Sequence, residues 1–219
     1  MLNEVEQVRD DYDRIATEYA RRLFGELGGK PKDRELLLQF ASEVSGRGTI
    51  CDIGCGPGHV TRFFRDAGAR VFGLDLSPEM LAQARILSPD LEFRAGNVLA
   101  LDLPDNGLAG ITAFYAIVNI PAQSMPVAFG EMYRVLQPEG LLLIAFHIGG
   151  DAIRPEELWG QKVAMEFYHF DRALIERLLC DAGFRIEDVV ERGPYAPEVE
   201  YQSRRAYIFA RKPPEVVKS

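Results

Sequence analysis

The first apolar positions of the chain are Val5, Val8, Tyr12, Ile15, Tyr19 and Leu23, separated by steps of three and four. That spacing lays one apolar stripe along a helix, and Gly28-Gly29 marks its end. A second helix is predicted over residues 33–44, closed by Gly46 and Gly48. From Thr49 the period changes. Thr49-Ile50-Cys51-Asp52-Ile53 is a short, mostly apolar run that reads as a strand, with a glycine-rich turn and a helix over residues 59–67 behind it. A second strand over residues 70–74 runs into Ser77-Pro78-Glu79. A Ser cap with Pro at the first helical position starts another helix there. Further strands are predicted over residues 91–94, 110–116 and 140–146, with a helix over 124–136. Strands that alternate with helices predict a parallel sheet covered on both faces. The last part breaks the alternation. A helix over 171–181 ends at Gly183, and residues 186–191 and 205–210 read as two strands with no helix between them. Two strands joined without a crossover helix are expected to be antiparallel. Residues 212–219, with Pro213-Pro214, are expected to form a frayed tail.

A length of 219 residues favours one domain. The formal charge of -8 argues against a nucleic-acid partner, which calls for a basic footprint, although a local basic patch stays compatible with it. Cys51, Cys55 and Cys180 offer no disulfide framework, and no Cys/His pair downstream completes a zinc site, so no metal is expected. Reduced thiols, no apolar signal core near Met1 and no apolar run of membrane-spanning length together predict a cytoplasmic protein with no membrane partner.

The chemistry concentrates in Asp52-Ile53-Gly54-Cys55-Gly56-Pro57-Gly58, between the first strand and its helix. Glycines there permit a tight turn and close approach of a ligand to the main chain, and the helix N-terminus adds inward N–H groups. A plain glycine-rich connector is the bland alternative, but a strand before, a helix after and an acid downstream agree on a ligand loop. That acid is Asp75, about 20 residues on, where a doubly wound fold places the carboxylate that holds a ribose. Capping a helix is its other reading, and Ser77 already fills that place. The third glycine of a dinucleotide fingerprint is missing, since His59 stands there. Asp52 would repel a pyrophosphate and attract an ammonium group.

The segment Asp52-Ile53-Gly54-Cys55-Gly56-Pro57-Gly58 resembles the glycine-rich motif of the class I S-adenosylmethionine-dependent methyltransferases of small-molecule type. Val71 to Asp75 resembles their ribose-binding strand, and Tyr133-Arg134-Val135-Leu136-Gln137-Pro138-Glu139-Gly140, followed by Leu141-Leu142-Leu143-Ile144, their helix-turn-strand. The resemblance runs from about Thr49 to Arg211. It implies an α/β, Rossmann-like, doubly wound sheet of seven strands in order 3-2-1-4-5-7-6, with strand 7 antiparallel, in a single domain. Residues 1–45 become an N-terminal helical lid and residues 149–170 an aromatic substrate roof; a helix packed on the sheet is the alternative for the roof. S-adenosyl-L-methionine is the implied cofactor, held by Asp52, Gly54, Cys55, Gly56, Gly58, Asp75, Leu76, Asn97, Val98, Tyr115 and Tyr19. Asn97 stands where the family has an acid that accepts from adenine, and an Asn in a turn is its plain reading. Tyr19 is assigned to the lid and Tyr12 to packing.

Methyl transfer to a small-molecule acceptor is an in-line displacement that asks chiefly for alignment. An acceptor with a proton to lose also needs a base. His147, directly after the fifth strand, and His169, in the roof, are the candidates, with Asn119 as a substrate contact. A non-catalytic cofactor-binding module and a nicotinamide-dependent oxidoreductase are the rival readings. The sequence leaves the acceptor and the oligomeric state open.

Overall fold

A strand buried on both faces has no polar side to show, and Ile50–Ile53 (β1) is buried at all four positions. The computed structural model describes residues 2–214. In it β1 is an inner strand, third in order, of a seven-stranded sheet. Its neighbours are β2 (Val71–Asp75) and β4 (Leu108–Phe114), both parallel to it. β3 (Phe93–Ala95) lies outside β2, and β5 (Leu136–Ile148) outside β4. The other edge is antiparallel: β9 (Arg204–Arg211) pairs with β5, and β8 (Arg185–Arg192) with β9. A two-stranded hairpin, β6 (Glu157–Leu158) with β7 (Gln161–Lys162), stands apart. The sheet order β3-β2-β1-β4-β5-β9-β8 is the order expected, with β8 and β9 as its sixth and seventh strands.

Two cores follow from the period of two along the strands. On one face α2 (Pro31–Val44) and α3 (His59–Asp66) bring Leu37, Phe40 and Phe64 against Ile50, Leu143 and Phe209. On the other, α5 (Met125–Val135) and α6 (Arg172–Asp181) bring Phe129, Met132 and Leu179 against Cys51, Ile144 and Ile208. α4 (Pro78–Leu87) begins where expected: the Ser77 hydroxyl accepts from the Met80 amide at 3.1 Å, with Pro at the first helical position. α1 (Leu2–Leu23) lies over α4 and builds a third, smaller core with Met80, Val163 and Met165.

One alternative falls away and one expectation needs correction. The segment 149–170 contains no helix: it is irregular chain around the β6–β7 hairpin, which turns through Trp159 and Gly160 at φ of +50° and +83°. Its aromatic residues follow no helical spacing. Lys212 is not part of a frayed tail. Its Nζ is drawn into the fold by carbonyl oxygens of Tyr133 and Leu136 and by Asn106 Oδ1 at 2.6 Å. Residues 215–219 of that expected tail lie outside the described residues.

Candidate functional site

The carboxyl ends of β1, β2 and β4 open onto a cavity of about 480 Å³. Its floor is the loop after β1. Gly54 and Gly56 have φ of +67° and +52°, where a side chain costs steric strain. At Gly54 a Cβ would also lie 2.4 Å from Ala116 Cβ, because the loop packs onto the end of β4. At Gly56 the nearest atom is Tyr19 Cε1 at 3.8 Å, so bare backbone faces the cavity. Gly58 is among the expected ligand residues but not among those that line the cavity. It joins loop to helix, and a Cβ there would strike the Phe93 ring at 2.7 Å.

Asp75 ends β2 on the cavity wall. Its two oxygens accept from the Gly56 amide at 2.7 Å and the Ser77 amide at 2.8 Å. The carboxylate therefore clamps the glycine loop while keeping lone pairs for a ligand. Burial raises its pKa, and the amides of Ser77, Gly56 and Leu76 oppose that rise. Asp52 corrects a second expectation. It is 1% exposed and does not line the cavity. Its oxygens accept from Thr61 at 2.7 Å and Thr112 at 3.0 Å, so it braces α3 and β4 from beneath. Burial pushes its carboxyl up to about 6 against those two hydroxyls.

Cys55, Leu76, Asn97, Val98, Tyr115 and Tyr19 all line the cavity. Asn97 Oδ1 accepts from the Leu99 amide at 2.9 Å, the plain turn role, and its amide NH2 is left for a ligand. Tyr115 adopts φ of +58°, strained for a residue with a side chain. That bend ends β4 against the glycine loop. Its hydroxyl turns the other way, 3.0 Å from the Tyr207 hydroxyl, beside the buried Asp33–Arg192 ion pair at 2.7 Å.

α1 forms the opposite wall with Val5, Val8, Tyr12 and Tyr19. Three polar residues fasten it. Asp11, fully buried, accepts from the Ala164 and Met165 amides at 2.8 Å each. Asp13 accepts from the Ser77 hydroxyl and from the Glu79 amide at 3.2 Å. Tyr12 donates to Asn119 Oδ1 at 2.7 Å, and Asn119 donates to the Glu166 carbonyl at 2.7 Å. Tyr12 is thus more than the packing residue the stripe predicts. Burial, and then the charge of Asp75, raise its phenol, so it remains a donor.

His147 and His169 do not line the cavity. Their rings stack on each other at 5.3 Å, and His147 Nδ1 lies 2.6 Å from Ser203 Oγ. Burial and the charge of Arg205 lower His147 to about 3. A base for the acceptor is not found there. The histidine that does face the cavity is His59, 3.2 Å from Glu26 Oε1, and Glu26 lines it as well. Glu26, Asp11 and Asp13 were missed by sequence reasoning: each sits among other acids on α1 or between glycines, with nothing in its spacing to set it apart. Among the described residues no group of three His, Cys, Asp or Glu is placed to hold a metal ion. Among the same residues no helix is long and apolar enough to cross a membrane.

A doubly wound sheet with an antiparallel edge, a glycine loop and an acid at the end of β2 defines a Rossmann-like domain that receives a nucleoside-bearing ligand. Residues 50–140 match the family model described as a methyltransferase domain. The sheet order, the loop and the acid are those expected of the class I S-adenosylmethionine-dependent methyltransferase fold, and residues 50–140 carry the likeness to that family. It is 34% identical over 126 residues to a malonyl-[acyl-carrier protein] O-methyltransferase of Pectobacterium atrosepticum, covering 57% of this chain and 48% of that relative. The chain thus spans about half the length of the curated relatives it matches. The magnesium protoporphyrin IX methyltransferase of Synechocystis PCC 6803, solved with bound S-adenosylmethionine, shares the fold at a TM-score of 0.71 and 18% identity, over 95% of this chain and 97% of that one. The [4+2]-cyclase SpnF shares it at 0.73 and 19%, over 96% and 97%.

Proposed function

We propose that this protein transfers a methyl group from S-adenosylmethionine to a small-molecule acceptor by in-line displacement. One observation carries the reading: the cavity is walled on one side by the open backbone of Gly56 and the carboxylate of Asp75, and on the other by Tyr12, Asn119 and a fastened helix. The residues fit the cofactor. Asp75 suits a ribose diol, the NH2 of Asn97 a ring nitrogen of adenine, and Leu76 and Val98 the two faces of the base. When bound, the cofactor supplies a methyl group already activated by its sulfonium. The chain's own residues then align and enclose. Tyr19 and the strained end of β4 at Tyr115 fix the methionine side; Tyr12 and Asn119, bonded to each other, orient the acceptor; α1 and the roof segment exclude water. Gly58 and Asp52 support the loop from outside the cavity. A small acceptor suits a cavity of about 480 Å³.

Calorimetry with S-adenosylmethionine and S-adenosylhomocysteine tests the binding half, with binding expected to both and no metal required. Binding of a nicotinamide cofactor instead overturns it. Because a cyclase shares the fold, an acceptor screen with labelled cofactor tests the chemistry, and label in a product is the expected result. We also place the protein in the cytoplasm, since Cys180 is exposed as a free thiol, which suits a reducing compartment.

A further inference from the structure

Beyond α1 the chain makes one turn of 3-10 helix, Glu26–Gly29, before α2. Glu26 faces the cavity from that turn, beside Tyr19, Gly56 and His59. Its carboxylate is held from both sides. His59 Nε2 lies 3.2 Å from Oε1, and Lys30 Nζ donates to Oε2 at 2.6 Å. Lys30 is itself 4% exposed and does not line the cavity, so it compensates Glu26 from behind. His59 Nδ1 is buried with no hydrogen-bond partner. A carboxylate desolvated this far is held ionised by its two partners, yet it retains lone pairs on the cavity side. A structural ion pair has no need to open onto a ligand cavity.

The cofactor's amino-acid end is the part that carries an ammonium group. Asp52, expected from the sequence to attract it, is sealed beneath the loop by Thr61 and Thr112. The methionine side of the cavity therefore takes its negative charge from elsewhere. Resting on the cofactor reading above, we infer that Glu26 accepts the ammonium of the cofactor's amino-acid end, with His59 and Lys30 as its positioning residues. The consequence reaches the lid. Glu26 stands where α1 passes into α2, so a ligand that bonds it fixes the hinge of the helix that closes over the ligand.

The test compares two ligands by calorimetry: S-adenosylhomocysteine, and its desamino analogue, which keeps the carboxylate and lacks the ammonium. Wild type should bind the first more tightly. Glu26→Gln should lose about ten- to a hundredfold in affinity for S-adenosylhomocysteine, the size of one charge-assisted hydrogen bond. It should bind the desamino analogue as wild type does. His59→Gln should show the same selectivity with a smaller loss. Equal losses for both ligands would reduce Glu26 to a structural role and overturn the inference, and so would no loss for either. 5′-Methylthioadenosine, which lacks the whole amino-acid end, separates the two levels of argument. If wild type binds none of the three adenosyl ligands, the cofactor reading itself fails; if it binds them and the variant shows no selectivity, only the role of Glu26 fails.

Discussion

At Asp75 one carboxylate clamps a loop and faces a ligand, so the two roles need separate substitutions. Asp75→Asn keeps an acceptor for one of the two amides and should retain the fold while cofactor affinity falls about tenfold or more, the loss of a charged hydrogen bond. Asp75→Ala leaves the Gly56 and Ser77 amides unpaired and should also lower the melting temperature. Calorimetry and thermal unfolding on both variants check this; an Asp75→Asn protein that binds like wild type would remove Asp75 from the site. Asp52 makes the pH-dependent case. Its folded pKa, about 6, lies above the ordinary value of 3.8. The stability it contributes is complete below pH 4 and is lost as pH rises through 6, to a total of about 3 kcal/mol. Asp52→Asn should therefore gain on wild type between pH 4 and pH 7 in thermal unfolding. A constant difference across that range contradicts the assignment. Residues whose role lies in backbone geometry were legible from sequence, since Gly54 and Gly56 can be read from spacing alone. Those whose role depends on side-chain direction were not. His147 follows Leu143 and Ala145 in the strand period of two, which sends it to the α2 face and away from the cavity.

Among the elements, α1 is held by its small core against α4 and by the polar bonds of Asp11, Asp13 and Tyr12. Asp11→Ala leaves two amides in the roof segment without their acceptor, and at about 1 to 3 kcal/mol each this should loosen α1 without unfolding the sheet. Hydrogen exchange across residues 2–23 should quicken in that variant and slow in wild type when S-adenosylhomocysteine is added. Ligand-independent exchange there would leave α1 a fixed wall. The alternating elements from β1 to β5 were legible because burial on both faces forces continuous apolar runs, and caps such as Ser77 and Gly183 mark the ends. The antiparallel pair β8–β9 followed from the missing helix between them. The segment 149–170 was legible only as an aromatic insertion. A two-residue strand pair is too short for any period to show, and its position is set by Asp11 from a helix more than 150 residues away.

Across the whole molecule, α2 is fastened to the antiparallel edge at the buried pair Asp33–Arg192; the side chains are 0% and 10% exposed. Arg192→Met strands a buried carboxylate and should cost about 3 to 5 kcal/mol. For a chain of this length that lowers the melting temperature by about 6 to 20 °C. A shift of a degree or two would show that Asp33 is compensated by its neighbours Tyr207 and Tyr115. The sequence held no sign of this pair, because its partners stand 159 positions apart. The straps on α1, described above as bonds to Asp11, Asp13 and Tyr12, also act as a clock. On the proposed function, a helix held at both the roof and the start of α4 should slow the exit of a ligand beneath it. If the protein turns over as proposed, the expected outcome is an ordered sequence, cofactor first and its spent form last, with release as the slow step. Rapid-mixing experiments should show a burst of methylated product in the first cycle, followed by a slower steady rate. In Asp11→Ala that steady rate should climb towards the burst.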